Sequence, residues 1–131
     1  MEAQMESNVY SAYHLTRALL PSFLAQGHGH IFNMCSIASI QAFVNGGSYC
    51  ISKHALLGFN RVLREELKDQ GIKVTAILPG ATLTPSWDGV DLPVERFIDV
   101  EDLCALVYQC FLTKPSAVVE ELLIRPQLGD L

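Results

Sequence analysis

Tyr49 and Lys53 stand four positions apart in the stretch SYCISKHALLGF, residues 48–59. On a helix that spacing puts both side chains on one face, one turn apart. A tyrosine that gives or takes a proton near neutral pH must shed about three units from its ordinary pKa of about 10, which is worth ~4 kcal/mol. An exposed lysine supplies only about 0.2–1 kcal/mol of that. A partly buried lysine, a helix N-terminus and a bound cation acting together reach the required size. Lys53 is also the wrong charge for the first turn of a helix, where an acid is favoured. Taken alone, the pair still reads more readily as a solvated helix face than as an acid with its activator.

Three neighbours bear on that choice. Ser36 closes a short apolar run, HIFNMC, and precedes Tyr49 across a loop rich in Ser and Gly. In open α/β sheets, ligands bind at the ends of strands. Pro79-Gly80 closes a second apolar run and is followed by two hydroxyls, Thr82 and Thr84. Asn8 lies on the first amphipathic segment, well upstream of Ser36.

The elements that must position these residues follow from periodicity. Val9, Ala12, Tyr13, Thr16, Leu19, Leu20 and Phe23 recur at helical spacing and predict a helix over 7–25, capped by Ser7 or Asn8. Pro21 is expected to bend it or shorten its last turn. GHGH at 27–30 reads as a turn, 30–35 as a strand and 36–48 as a loop. A second helix is predicted over 49–70, with Ser48 as N-cap and Gly71 past its end. A strand at 72–78, a helix at 99–112 with acids in its first turn, and a strand at 118–126 complete the pattern. Helices alternating with short apolar strands indicate an α/β fold with a parallel sheet. Three strands are few for such a sheet, which wants helices on both faces, so the chain reads as half of a larger domain.

Bulk properties narrow the function classes. The chain has 131 residues, half of them hydrophobic and only 18% charged, which excludes a disordered segment. A net charge of −5 argues against a nucleic-acid binder working through phosphate contacts. No apolar run approaches the ~18 residues that span a bilayer, so no membrane partner is expected. The first fifteen residues carry acids and no basic n-region, against a secretory signal. Cys35, Cys50, Cys104 and Cys110 show no CxxC pairing and are expected to be free, mostly buried thiols in the cytoplasm.

Together, Asn8, Ser36, Tyr49-x-x-x-Lys53 and Pro79-Gly80-x-x-x-Thr84 resemble, in order and spacing, the classical short-chain dehydrogenase/reductases. Within that family they are similar to the 3-oxoacyl-carrier-protein reductases. A lone YxxxK carries little weight; four elements in register carry much more. The likeness runs from Asn8 to the closing RPQLGDL. It implies the C-terminal half of a Rossmann-like, doubly wound parallel sheet. It also implies that Tyr49 is general acid in carbonyl reduction and base in alcohol oxidation. Lys53 would then hold the nicotinamide ribose and lower the tyrosine pKa. Ser36 would hydrogen-bond the substrate oxygen, and Asn8 would hold a water linking Lys53 to solvent. The Pro79-Gly80 turn, backbone around Thr82 and the Thr84 hydroxyl would meet the nicotinamide carboxamide. The reaction implied is hydride transfer between NAD or NADP and a small-molecule carbonyl/alcohol pair.

The chain departs from the family in one large respect. The family's TGxxxGxG turn and NAG-type motif, which bind the pyrophosphate, adenine and ribose, are not here. This chain alone is therefore expected to bind NAD(P)H weakly or not at all and to be inactive. The runner-up reading is a non-catalytic fragment that acts as an oligomerisation or interaction module. A homo-oligomer is expected in either case, since a half-domain leaves apolar faces open and the helices at 7–25 and 49–70 resemble the family's subunit-pairing helices. An epimerase or lyase using the same pair is a third reading, and the lack of a G-x-S-x-G elbow disfavours a serine hydrolase. His28 and His30 read as turn residues rather than metal ligands, and His54 is expected to point away from the site. Cys35 and Cys50 are expected to be buried small hydrophobes. Trp87 falls in the segment 83–97, where the family keeps its substrate lid.

Overall fold

The apolar stripe expected over 7–25 belongs to a longer helix. In the computed structural model, which describes residues 1–131, α1 (Glu2–Met5), a π-helical turn (Glu6–Tyr10) and α2 (Ser11–Gln26) follow one another without a break. The helix therefore starts at Glu2, and Ser7 and Asn8 lie inside the π-helical turn instead of capping it. Pro21 does not shorten it. The proline removes one backbone bond, but Leu20 and Phe23 on either side pack against the core and hold that turn in place. The helix stops at Gly27, which takes the left-handed conformation at φ 72°.

Three parallel strands follow in the order β1 (Gly29–Met34), β2 (Ile72–Pro79) and β3 (Glu121–Ile124). The helix α3 (Gly47–Leu67) connects β1 to β2, and α4 (Val100–Phe111) connects β2 to β3. The expected α/β architecture with helices on both faces of a parallel sheet is the one observed. The third strand is shorter than the expected 118–126, and Ser36 opens a 3-10 turn (Ile37–Ser39) inside the expected loop.

The central strand carries the core. Val74, Thr75, Ala76, Ile77 and Leu78 of β2 are all fully buried. On one face Leu56, Leu57, Leu63 and Leu67 of α3 pack onto Ile72, Val74, Ala76 and Leu78, and Ala12, Leu20 and Phe23 of α2 close the edge of that layer. On the opposite face His30 stacks on Phe32 at 3.9 Å and on Phe111 of α4 at 6.3 Å. Lys73 Nζ donates there to the carbonyl oxygens of Thr113 and Lys114, at 2.8 and 2.7 Å, which pins the chain leaving α4. His30 Nε2 lies 2.7 Å from Thr75 Oγ1, whose own proton goes to the Val119 carbonyl, so the imidazole donates. Burial, with the Lys73 charge nearby, lowers the His30 pKa to about 4.

Two glycines set the helix–strand turns. Gly71 sits at φ 75°, and a Cβ there would lie 2.3 Å from the Gly27 carbonyl oxygen. The two turns therefore touch through their backbones. At the other end of α3, Asn45 at φ 65° turns the chain, and the Cys50 amide bonds the Gly46 carbonyl at 2.7 Å. Gly46 is thus the N-cap, Ser48 lies inside the first turn, and the expectation of a Ser48 cap is corrected. No helix is long and apolar enough to cross a membrane. Only 24 residues are buried, β1 has no strand on its outer edge, and Leu15 and Leu19 of α2 and Ile51 and Val62 of α3 are exposed.

Candidate active site

The C-terminal ends of β1 and β2 and the first turn of α3 meet around one cleft of about 870 Å³. Ser36, Tyr49, Lys53, Pro79, Gly80, Thr82 and Thr84 all line it. Ser36 reaches it from extended backbone at the end of β1. Its Oγ accepts from the Ala38 amide at 3.1 Å, and its own amide donates to Ser39 Oγ at 3.2 Å. That reciprocal cap fixes the side chain and uses one of its two acceptor sites, leaving the hydroxyl proton available to a ligand.

Tyr49 and Lys53 differ sharply in environment. Tyr49 is 40% exposed, whereas Lys53 is 9% exposed. The lysine Nζ sits 5.7 Å from the centroid of the tyrosine ring and donates to the Met34 carbonyl at 2.8 Å. No carboxylate pairs with it. Burial consequently lowers its pKa below the ordinary lysine value. Cys35 itself is pushed up to about 11 by burial, so it is a protonated, inert thiol.

The turn after β2 is shaped by packing. The Gly80 amide donates to the Ile124 carbonyl at 2.7 Å, and a Cβ on Gly80 would come 2.9 Å from Pro126 Cδ. A residue without a side chain lets the turn press against the chain leaving β3. Thr82 Oγ1 then donates to the Gly80 carbonyl at 3.1 Å, and Thr84 Oγ1 shares a 2.6 Å bond with Ser86 Oγ. The Trp87 indole lines the cleft and packs edge-on against Phe97 at 5.1 Å, so it both faces the cleft and packs on the body.

Asn8 stands outside this cleft. Its Nδ2 donates to Gln4 Oε1 and to Ser52 Oγ, both at 2.9 Å, and Ser52 Oγ donates to the Tyr49 carbonyl at 2.8 Å. The amide thus reaches Tyr49 through Ser52 and the backbone of the first turn of α3. Asn8 and Lys53 do share a second hollow of about 420 Å³ between α2 and β1, and Lys53 borders both spaces. His54 is turned away, with Nδ1 2.9 Å from the Cys50 carbonyl.

The profile of the short chain dehydrogenase family matches residues 1–92. The chain belongs to that family. The sepiapterin reductase of Chlorobaculum tepidum is 34% identical over 128 residues, covering 97% of this chain and 52% of that protein. Among solved structures, the serine dehydrogenase of Escherichia coli superposes with a TM-score of 0.80 at 26% identity, over 95% of this chain and 52% of that one. A metagenomic short-chain oxidoreductase in complex with NADP gives 0.75 at 26% identity, over 95% and 50%. This short-chain dehydrogenase sequence therefore spans about half the length of the relatives it matches. None of these three relatives is named as a 3-oxoacyl-carrier-protein reductase.

The residues present fit one end of a nicotinamide dinucleotide. The cleft offers a buried ammonium, two hydroxyls and the Gly80 turn within one hollow. Nothing in the chain provides the Gly-rich turn that receives a pyrophosphate. Sequence reasoning missed Phe43, Leu103 and Asp130 in the cleft wall, and Ser52 behind Tyr49. These residues carry no motif; only the folded chain brings them to the site.

Proposed function

We propose that this chain is the catalytic half of an NAD(P)-dependent oxidoreductase that interconverts a small carbonyl and its alcohol. The observation that carries the reading is the single cleft shared by Ser36, Tyr49, Lys53 and the Pro79–Thr84 turn. Tyr49, the exposed member, gives its phenolic proton to the substrate oxygen in reduction and takes it back in oxidation. Ser36 donates its free hydroxyl proton to the same oxygen and steadies the charge that develops there. Lys53 holds the ribose hydroxyls of the cofactor and presents its charge to the Tyr49 ring. Asn8 acts from behind, through Ser52 on the first turn of α3, and through water in the hollow it shares with Lys53. The nicotinamide cofactor, when bound, supplies or accepts the hydride. Gly80, Thr82 and Thr84 orient its carboxamide. Sepiapterin-like and 3-oxoacyl carbonyls are the first substrates to try. The free thiols suit a reducing, cytoplasmic setting.

Lacking the phosphate turn, the isolated chain binds NADH and NADPH weakly or not at all. Micromolar affinity in a fluorescence titration overturns that statement. Supplying the N-terminal half of a full-length relative in trans is expected to restore NAD(P)H-dependent carbonyl reduction. Tyr49→Phe then abolishes turnover while leaving the thermal midpoint unchanged, and a Tyr49→Phe assembly with wild-type turnover sinks the mechanism. The second reading, a non-catalytic interaction module, is favoured by the open outer edge of β1. Both readings expect self-association, which a monodisperse monomer in light scattering contradicts.

A further inference from the structure

One part of the cleft wall is built from two segments far apart in sequence. One is the stretch after β2 that carries Trp87 and ends in a 3-10 turn at Val94–Arg96. The other is the tail after β3, which folds back at Gly129, at φ 89°, where the Gly129 amide bonds the Pro126 carbonyl at 2.9 Å. That turn brings Asp130 and Leu131 into the cleft. Three polar contacts converge on the tail. Arg125 Nη1 donates to Asp130 Oδ2 at 2.5 Å and to Gln41 Oε1, on the loop after Ser36, at 3.2 Å. Arg96 Nη2 donates to the Asp130 carbonyl at 3.4 Å.

The unused atoms are as informative as the used ones. Arg96 Nε and Asp130 Oδ1 are both buried and both without a hydrogen-bond partner. Buried polar atoms are rarely left unpaired. Here a donor on a cation and an acceptor on an anion are left open on two residues already joined by one long bond.

We propose that Arg96 and Asp130 form a clamp that fixes the Trp87 segment and the tail together as one wall of the cleft, with Arg125 tying that wall to the Ser36 loop through Gln41. The clamp sets the space left for the substituents of the carbonyl opposite Tyr49. Its bearing on substrate rests on the function proposed above, but its geometry does not.

Trp87 is the only tryptophan and stands against Phe97, the neighbour of Arg96, so its emission reports the wall directly. In the full chain, Asp130→Ala and Arg96→Gln are each expected to raise acrylamide quenching of Trp87 at least two-fold and to shift its emission to the red. The double variant is expected to exceed either single one, because Arg96→Gln removes the bond to the Asp130 carbonyl and Asp130→Ala removes the Arg125 link. Arg61→Ala, which breaks an exposed ion pair with Glu121 elsewhere, is expected to leave Trp87 unchanged. Unchanged quenching in either single variant overturns the clamp, and so does a double variant that quenches no more than the larger single effect. Should circular dichroism show that Asp130→Ala fails to fold, Asp130→Asn replaces it in the same cycle under the same criteria. Because the readout needs no turnover, loss of the clamp and loss of the proposed activity are separable results.

Discussion

Replacing Lys53 by Met is expected to make this protein more stable. Lys53 is 9% exposed, faces no carboxylate, and has only the Met34 carbonyl at 2.8 Å and the Tyr49 ring at 5.7 Å to compensate its charge. Burial is the main cause of its lowered pKa, so folding disfavours the charged form. Methionine keeps most of the hydrocarbon stem and removes the ammonium. The Met34 carbonyl loses its donor, but it borders an open hollow that water can enter. The balance favours the variant by about 1 kcal/mol, within the ~0.5–2 kcal/mol gained when a functional compromise is relieved. For a chain of this length that raises the midpoint by about 3–6 °C. The pH dependence tests the cause. A base whose folded pKa is depressed penalises folding fully below that folded pKa, and the penalty vanishes as pH rises to the unfolded value of 10.5. The stability gap between Lys53→Met and wild type, from urea melts followed by circular dichroism, is therefore expected to be widest near pH 7. It narrows as pH approaches 10. A variant destabilised by 1 kcal/mol or more, or a gap that widens with pH, refutes the reasoning.

Other outcomes follow from the same physics. His30, held near pKa 4 and buried neutral, costs stability once the unfolded chain protonates, so stability falls as pH drops from about 6.5 to 4. His30→Phe is expected to flatten that part of an acid-unfolding curve. Gly71→Ala forces a side chain into φ 75° and onto the Gly27 carbonyl, and should cost at least about 2 kcal/mol in a denaturant melt. Asn60→Leu leaves the buried Asn33 amide without its 2.9 Å partner and should cost about 1–3 kcal/mol. Asn33→Leu combined with it is expected to recover part of that loss, as a double-mutant cycle would show.

The sequence made the skeleton of the sheet legible because β2 and α3 are strongly patterned and Gly27 and Gly71 mark true helix ends. It misplaced the first helix because Glu2, Glu6 and Asn8 contribute no apolar stripe; that region is helical through continuity with α2 and contact with α3. A π-helical turn leaves no periodic trace, so the contact of Asn8 with Ser52 was not legible. Gly46 took the cap from Ser48 because the left-handed Asn45 sets where the ladder begins. The site was legible where short spacings carry chemistry, at Tyr49 and Lys53 and at Pro79 to Thr84. It was opaque at Arg96, Arg125 and Asp130, whose contacts span up to 84 positions and depend on how the tail folds back.

The bare outer side of β1 divides two properties that recognition often mixes. Main-chain donors and acceptors along Gly29–Met34 accept any strand with matching spacing, whatever its side chains. The hollow beside them, lined by Leu15, Leu19 and Phe23, is particular about shape and hydrophobicity. Pairing along that side would therefore be generic, and any selection local to the hollow. A proline in β1 would remove one of those main-chain donors, whereas polar substitutions at Leu15 or Leu19 would change only the apolar lining.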